Sequence, residues 1–430
     1  MENKNVYTES MQRIKYVFDN FDNVYVSFSG GKDSGLLLSL CVKYIRDLAP
    51  NRKLGVFHID YEAQYQMTTD YVDSVFSSNQ DILEYYRICL PISAQCCTSA
   101  YQDHWVPWEK EKKDLWVRPM PENCINEDNH NFDFFKKEMW DYDLQEQFSL
   151  WLHNKKHAKK TACLVGIRTQ ESLNRWRAIH SDKNINKYKG LDWSKKMYRN
   201  VYNMYPIYDW LAEDIWTANA KFGFEYNKLY DLFYQAGLSL GQMRCASPFN
   251  DAAPASLKYY KVIDPNNWGR MIGRVNGVNF TGLYGGTTAM GWRNIVLPKG
   301  HTWKSYMDFL LSTLPEKAAE NYKKKLEISQ VFWRKKGGVL SKRLIKKLKK
   351  MKIPITVGKK TNYDTDKLPV QMEYLDDINI VEFREIPTYK RMCICIMKND
   401  HLCKFMGFSL TKGETERRSA AENNYKNIYK

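Results

Sequence analysis

The chain has 430 residues, with 65 Lys and Arg against 49 Asp and Glu. That length can bury a large core and suits two or three domains, while the formal charge of +16 favours anionic partners such as nucleotides, nucleic acid or anionic lipid surfaces. The opening MENKNVYTES lacks the apolar core of a signal peptide, no later apolar run is long enough to span a bilayer, and ten scattered cysteines fit reduced thiols, so a cytoplasmic protein is expected.

In chain order, Met11, Ile14, Val17, Phe18 and Phe21 recur at helical spacing. The period then drops to two: Val24, Val26 and Phe28 alternate with Tyr25 and Ser27, which reads as a buried strand. Glycines end that strand, and Asp33 or Ser34 is placed to cap a helix continued by Leu36, Leu37, Leu40, Tyr44 and Leu48. Leu54 to Ile59 reads as a second strand ending at Asp60, with a helix from about Gln64 and a third strand from Tyr85 to Leu90. A long insertion containing Cys96, Cys97 and Cys124 among Trp105, Trp108 and Trp116 follows and is expected near the mouth of the site. A helix around Phe132 to His153 then leads to a fourth strand from Thr161 to Ile167. Strands alternating with helices predict an α/β protein with a doubly wound, Rossmann-like parallel sheet, whose ligand lies at the carboxyl ends of the strands.

The turn after the first strand, Ser29-Gly30-Gly31-Lys32-Asp33-Ser34, has the chemistry of an anion site. Backbone N–H groups and the dipole of the following helix point at one place, two glycines permit close approach, and Ser29, Ser34 and Lys32 add hydroxyls and charge. Asp33 is placed to hold Mg²⁺ against phosphates that the metal bridges. The loop is not the common G-x-x-x-x-G-K-[ST], because the earlier glycine is missing and Asp33 follows the lysine.

This loop resembles the pyrophosphate-binding loop of the adenine nucleotide alpha hydrolases, or N-type ATP pyrophosphatases. In the same order, GIRTQES at Gly166 to Ser172 looks like the arginine motif of the phosphoadenosine phosphosulfate (PAPS) reductase and sulfate adenylyltransferase branch, and YPIYDWLAEDIW at Tyr205 to Trp216 resembles that branch's P-x-x-x-W-x-x-x-D-[IV]-W segment. The longer string LVGIRTQESLNRWRAI looks closest to the IbrA-like proteins, described as regulators working with a ParB-like neighbour. The resemblance implies cleavage of ATP between its α and β phosphates, with AMP transferred to an acceptor. It implies that Ser29 to Ser34 hold pyrophosphate, that Asp60 lies near the nucleotide or Mg²⁺, that Gly166 and Arg168 contact the nucleotide, and that Glu171 positions a metal or the acceptor. Lys32, Asp33, Arg168 and Glu171 are the implied catalytic residues; Arg175 and Arg177 are weighed against a solvated helix face. Asp209, Trp210, Asp214 and Trp216 are read as packing and capping. The E-C-G-x-H nucleophile string of thioredoxin-coupled PAPS reductases is missing, and Cys245 in GQMRCASPF is the one late cysteine weighed as reactive.

Domains are expected at residues 1–222 (nucleotide binding), 223–333 (a helical and loop extension) and 334–430 (a basic arm and a small α/β module). The glycine-rich passage from Gly269 to Gly291 reads as loops. Arg334 to Lys352 contain ten Lys or Arg and no acid, with Leu344, Leu348 and Met351 on one helical face. Lys346, Lys347, Lys349 and Lys350 are candidates to grip nucleic acid phosphates, against a solvated helix or a membrane contact. Cys393, Cys395, His401 and Cys403 carry soft-metal chemistry, zinc or an iron–sulfur cluster, but match no standard zinc spacing; a buried hairpin turning at Lys398-Asn399-Asp400 reads the same letters. The expected protein is thus an ATP- and Mg²⁺-dependent nucleotidyl- or sulfurtransferase. Its rivals are a PAPS reductase-like enzyme and a nucleotide-sensing regulator acting on DNA or with a ParB-like partner.

Overall fold

The computed structural model describes residues 5–408, apart from 172–174, 177–178, 181–185, 240–242, 244, 246, 252–255, 286, 288–294 and 360–365. Seven strands form the central sheet: β1 (Asn23–Ser27), β2 (Leu54–Ile59), β3 (Leu83–Cys89), β4 (Ile125–Asn126), β5 (Thr161–Val165), β6 (Ser194–Tyr198) and β7 (Val201–Met204). Their spatial order is β4-β3-β2-β1-β5-β7-β6, parallel except for the β6–β7 pair. Val26 lies between Val56 and Leu164, so β1 has a hydrogen-bonded strand on each side. The chain runs from β1 outward to β4 and then returns to β1's other flank as β5. The carboxyl ends of β1 and β5 therefore meet at the switch point where doubly wound sheets open a crevice.

Alternation along β1 supplies both faces with core. Val24 and Val26 pack with Ile14 and Val17 of α1 (Val6–Asn20), Leu36, Leu37 and Leu40 of α2 (Lys32–Leu48) and Val72 of α3 (Gln66–Ser77). Tyr25 points the other way, against Phe148 of α4 (Asp141–Lys155), whose Trp151 also stacks edge-on with Tyr86. A helix layer on each face makes the parallel sheet stable, as its near-continuous apolar strands require. The helix expected from Phe132 begins only at Asp141, because Phe132 and Phe134 leave the helical path and Phe132 packs edge-on against Trp151.

Beyond β7 come α5 (Ala212–Phe222), α6 (Leu229–Gln235), α7 (Tyr260–Ile263), α8 (Pro265–Arg274) and α9 (Val278–Tyr284). The last two correct the expectation of loops from Gly269 as far as Tyr284; 286 and 288–291 lie outside the described residues. Asp264 caps α8 at Asn267 N with Pro265 in the first turn, a start signal that outweighs the scattered glycines, and Gly282 lets α9 close against Trp268. Leu229, Tyr230, Phe233, Tyr260, Met271 and Val278 join the core under Tyr25 and Phe57.

The remaining described chain forms α10 (Trp303–Ser312), α11 (Glu316–Lys335), a three-stranded sheet of β8 (Gly338–Leu340), β9 (Thr356–Val357) and β10 (Leu368–Gln371) in the order β8-β10-β9, α12 (Lys342–Lys350) and α13 (Tyr389–Met397). The hairpin expected at Met392 to Met397 is instead the helix α13, capped by Thr388. An apolar run is ambiguous between strand and helix when every face is buried; here Met392 to Ile396 lie under α10 and α11 on one side and Arg391 bonds Phe405 O on the other. Among the described residues no helix is long and apolar enough to cross a membrane.

Candidate active site

The bend after β1 is built to leave donors open. Gly30 takes φ +74°, and a Cβ there would sit 2.8 Å from Thr68 Cγ2. Gly31 occupies the N-cap of α2 with no side-chain cap, so the helix starts at Lys32; neither Asp33 nor Ser34 is the cap that the sequence suggested. The consequence favours a ligand, because the N–H groups of Asp33 and Ser34 have no acceptor inside the helix. The hydroxyls hold the bend: Ser34 Oγ lies 3.0 Å from Ser29 Oγ and donates to Gly31 O at 3.2 Å.

Charges converge on the same turn. Lys32 Nζ is 2.6 Å from Asp33 Oδ2, and Arg168 Nε is 2.5 Å from Asp33 Oδ1. Two cations thus share one carboxylate at a helix N-terminus, leaving a positive surplus beside unpaired amides, which is the electrostatic requirement of a polyphosphate site. Burial lowers the pKa of the Lys32 ammonium, against the pull of Asp33. Gly166 is what lets β5 reach this turn: a Cβ would stand 3.0 Å from Asp33 C and Ser34 N, both backbone atoms. Two residues on, Arg168 also donates to Gln170 Oε1 at 3.0 Å and Trp210 O at 3.3 Å. Glu171 Oε1 lies 3.6 Å from Arg168 Nε, and Arg175 pairs with Glu171; Arg177 falls outside the described residues.

Several contributors come from segments the motifs did not mark. Asn227, fully buried, donates to Gly30 O at 3.0 Å and Thr68 Oγ1 at 2.9 Å, and caps Leu229 N, so one amide locks loop, α3 and α6 together. Tyr230 OH accepts the Lys32 backbone N–H at 3.2 Å and lies 3.4 Å from Cys245 Sγ. That contact brings Cys245 to the edge of the loop. In sequence Asn227 shows only as a polar residue ahead of an apolar helix, the ordinary look of a cap. The tail segment braces: Asp209 pairs with Arg13 at 2.7 Å, Asp214 accepts from Leu211 N, and Trp210 Nε1 donates to Ser10 Oγ.

Asp60 does not stand open beside the loop. It is 1% exposed, its Oδ2 is held by Arg87 at 3.0 Å, and its Oδ1 accepts from Arg118 and from Glu62 N. Burial raises the Asp60 pKa, but Arg118 and then Arg87 outweigh it and hold the group at about 2. Two residues later Glu62, also buried, binds Arg274 Nε at 2.9 Å and accepts from Trp108 N and Val117 N. These two carboxylates fasten the tryptophan-rich insertion to the end of β2.

Away from the sheet, Lys346, Lys349 and Lys350 are exposed on α12, whereas Lys347 is engaged by Glu382 at 2.9 Å. Leu344, Ile345 and Leu348 pack with Val370. Cys393 Sγ meets Trp303 O, Cys395 Sγ meets Asp400, and His401 Nε2 meets Ser99 O at 3.1 Å. Among the described residues no three His, Cys, Asp or Glu are grouped to hold a metal ion.

The family model described as "Phosphoadenosine phosphosulfate reductase domain" matches residues 23–248, and one described as "Domain of unknown function (DUF3440)" matches residues 237–417. "Uncharacterized protein YbdN" of Escherichia coli (strain K12) is 34% identical over 421 residues, covering 96% of this chain and 93% of that protein. A PAPS reductase from Candida auris in a phosphate complex aligns at 13% identity and TM-score 0.30 over 56% of this chain and 88% of its own. The U34-tRNA thiolase NcsA from Methanococcus maripaludis, with its [4Fe-4S] cluster, aligns at 12% and 0.29 over 64% and 80%. The matched span runs from the first residue of β1 past the loop, the arginine motif and Cys245, and the chain belongs to the phosphoadenosine phosphosulfate reductase domain family.

Proposed function

We propose that the chain binds ATP with its β and γ phosphates in the Ser29–Ser34 bend and transfers AMP to an acceptor. The acceptor's nucleophile attacks the α phosphorus, the bond from that phosphorus to the bridging oxygen breaks, and pyrophosphate leaves on the loop. The observation that carries this reading is the convergence of Lys32, Asp33 and Arg168 on the open first turn of α2, at the sheet's switch point. Transfers of this kind depend on positioning and charge stabilisation, which fixed amides and two cations supply. Asp33 is the residue that would hold a magnesium ion here, through lone pairs of the carboxylate that Lys32 and Arg168 also engage. When bound it would neutralise phosphate charge. Among this chain's own groups, Arg168 orients the phosphates, Lys32 offsets the charge growing on the leaving pyrophosphate, and Glu171, 3.6 Å from Arg168 Nε, helps to hold Arg168 in place.

Equilibrium binding of ATP and of PAPS, with pyrophosphate release followed on ATP, tests the assignment. Micromolar to millimolar ATP affinity that Lys32→Met and Arg168→Gln both destroy supports it. ATP affinity indifferent to both substitutions sinks it.

Cys245 favours a second reading. Its thiol at the loop's edge, 3.4 Å from Tyr230 OH, suits a PAPS reductase-like or sulfur-transfer step. Sulfite release from PAPS with an added dithiol reductant, lost in Cys245→Ser, would support that chemistry over adenylation. For a nucleic acid acceptor the support is narrower, resting on the net charge of +16 and the exposed Lys346, Lys349 and Lys350.

A further inference from the structure

We propose that a cavity beyond β3, walled by the tryptophan-rich insertion, is a second small-molecule site that takes an organic oxyanion with a flat apolar body. The cavity holds about 710 Å³, within the usual range of ligand pockets, and opens at the carboxyl ends of β3 and β4. Those strands lie two and three places from β1, roughly 10–15 Å across the sheet from the phosphate bend at one strand spacing each.

Its walls combine the two features such a ligand needs. Trp108 and Trp116, edge-to-face at 5.2 Å, supply aromatic surface, and Met120 completes the apolar side. Arg118, Lys113 and Arg270 supply the charge. Lys110, Glu127 and Asp128 also stand on the wall and pair with one another, and Arg118 pairs with Asp60, so among the described residues the charge without an ion-pair partner is that of Lys113 and Arg270.

Arg118 is the residue that makes this a built site and not a surface dimple. It is 6% exposed, its Nη2 pairs with Asp60, and its guanidinium lies 5.2 Å from the Trp108 ring centre. Its Nε–H is nevertheless buried with no acceptor among the described residues. The guanidinium adds positive charge behind a cavity wall whose exposed cations are Lys113 and Arg270, and an oxyanion is drawn to that combined charge. Asp60 and Glu62 hold Arg118 and the backbone at Trp108 and Val117 in place before any ligand arrives, so the site is preorganised.

Titration calorimetry on the full chain, with inorganic sulfate as the bare oxyanion and 2-naphthalenesulfonate as oxyanion plus flat body, tests this in the presence of saturating pyrophosphate. We expect one-to-one binding of the naphthalenesulfonate, roughly tenfold or more tighter than sulfate if the tryptophans contribute as aromatic partners do. The exposed pair Lys113→Met with Arg270→Gln should weaken it by about tenfold at an unchanged melting temperature. Arg118→Lys, which keeps a cation for Asp60 but gives up the guanidinium packed over Trp108, should weaken it as well. No binding of either probe, or binding unchanged in both variants, overturns the proposal. Pyrophosphate affinity reports on the Ser29–Ser34 bend separately, so failure there leaves this site standing and the reverse holds too.

Discussion

Arg168 Nε and Asp33 Oδ1 stand 2.5 Å apart although 135 residues separate them in the chain. The contact joins the ends of two neighbouring parallel strands across the switch point and sets the charge of the Ser29–Ser34 bend, where we propose the phosphates bind. Arg168→Lys keeps the charge but loses the planar guanidinium that spreads Nε to Asp33 and Nη1 to Gln170 and Trp210 O. Pyrophosphate release should fall by about a hundredfold, the typical effect of removing one positioned donor, with a smaller change in ATP affinity. Weaker ATP binding with unchanged turnover of the bound complex would mean that Arg168 only holds the ground state.

Gly166 leads to a sharper expectation. Its missing side chain is the clearance between β5 and the backbone of Asp33 and Ser34, and backbone cannot swing aside as a side chain does. Gly166→Ala should push the first turn of α2 away from Arg168, lowering nucleotide affinity by tenfold or more and costing roughly 1–3 kcal/mol of stability. Gly30→Ala meets the end of Thr68 and a positive φ. Thr68→Ser in that background should restore part of the loss by removing Cγ2, whereas no second-site change of that kind relieves Gly166→Ala. Nucleotide binding by calorimetry, beside thermal unfolding, checks both.

The nucleotide half was legible because two independent signals coincide there. The period-two run at Val24 to Phe28 and the glycine turn after it define β1 and α2, and Gly166 to Glu171 arrive at the next strand end, where topology places them. Asn227 and Tyr230 were not legible, since their roles depend on α6 folding back onto the loop, a long-range contact with no local spacing. The pairing of Asp60 was hidden for a related reason. An acid at a strand's carboxyl end looks open to ligand, and only the insertion's Arg118 and the strand neighbour Arg87 show that it is closed. In the C-terminal part, burial on all sides of Met392 to Ile396 erased the periodicity that separates helix from strand.

The lysines of α12 divide by their partners. Lys346, Lys349 and Lys350 face solvent, while Lys347 is tied to Glu382. If nucleic acid binds this helix, changing the three exposed lysines to Gln should reduce the slope of log affinity against log salt by about 3, since each phosphate contact contributes roughly 0.9. Lys347→Gln should alter the slope less and leave the melting temperature almost unchanged, as for an exposed ion pair. A slope identical in the triple variant removes α12 from any such interface.

Two buried carboxylates give opposite pH signatures. Asp141 accepts one bond from Tyr61 OH at 2.8 Å, and its Oδ1 has no partner among the described residues. Burial raises its pKa to about 6, against the hydrogen bond from Tyr61. A folded pKa above the unfolded value of about 3.9 means that its contribution is complete below that value and is lost as pH rises through 6. Asp141→Asn should therefore stabilise the protein by roughly 2 kcal/mol at pH 8 and by almost nothing at pH 4. Asp60 runs the other way. Held at about 2 by Arg118 and Arg87 in spite of burial, it stabilises the fold above the unfolded carboxylate range and loses that contribution as pH falls from about 4 through 2. Asp60→Ala at neutral pH would leave both arginines buried without their common partner and should cost about 3–5 kcal/mol. Urea unfolding of the wild type and the two variants at about pH 2.5, 4, 6 and 8 separates the cases, and an Asp141→Asn gain that persists undiminished at pH 4 would mean that the amide stabilises through packing instead of through the lost charge.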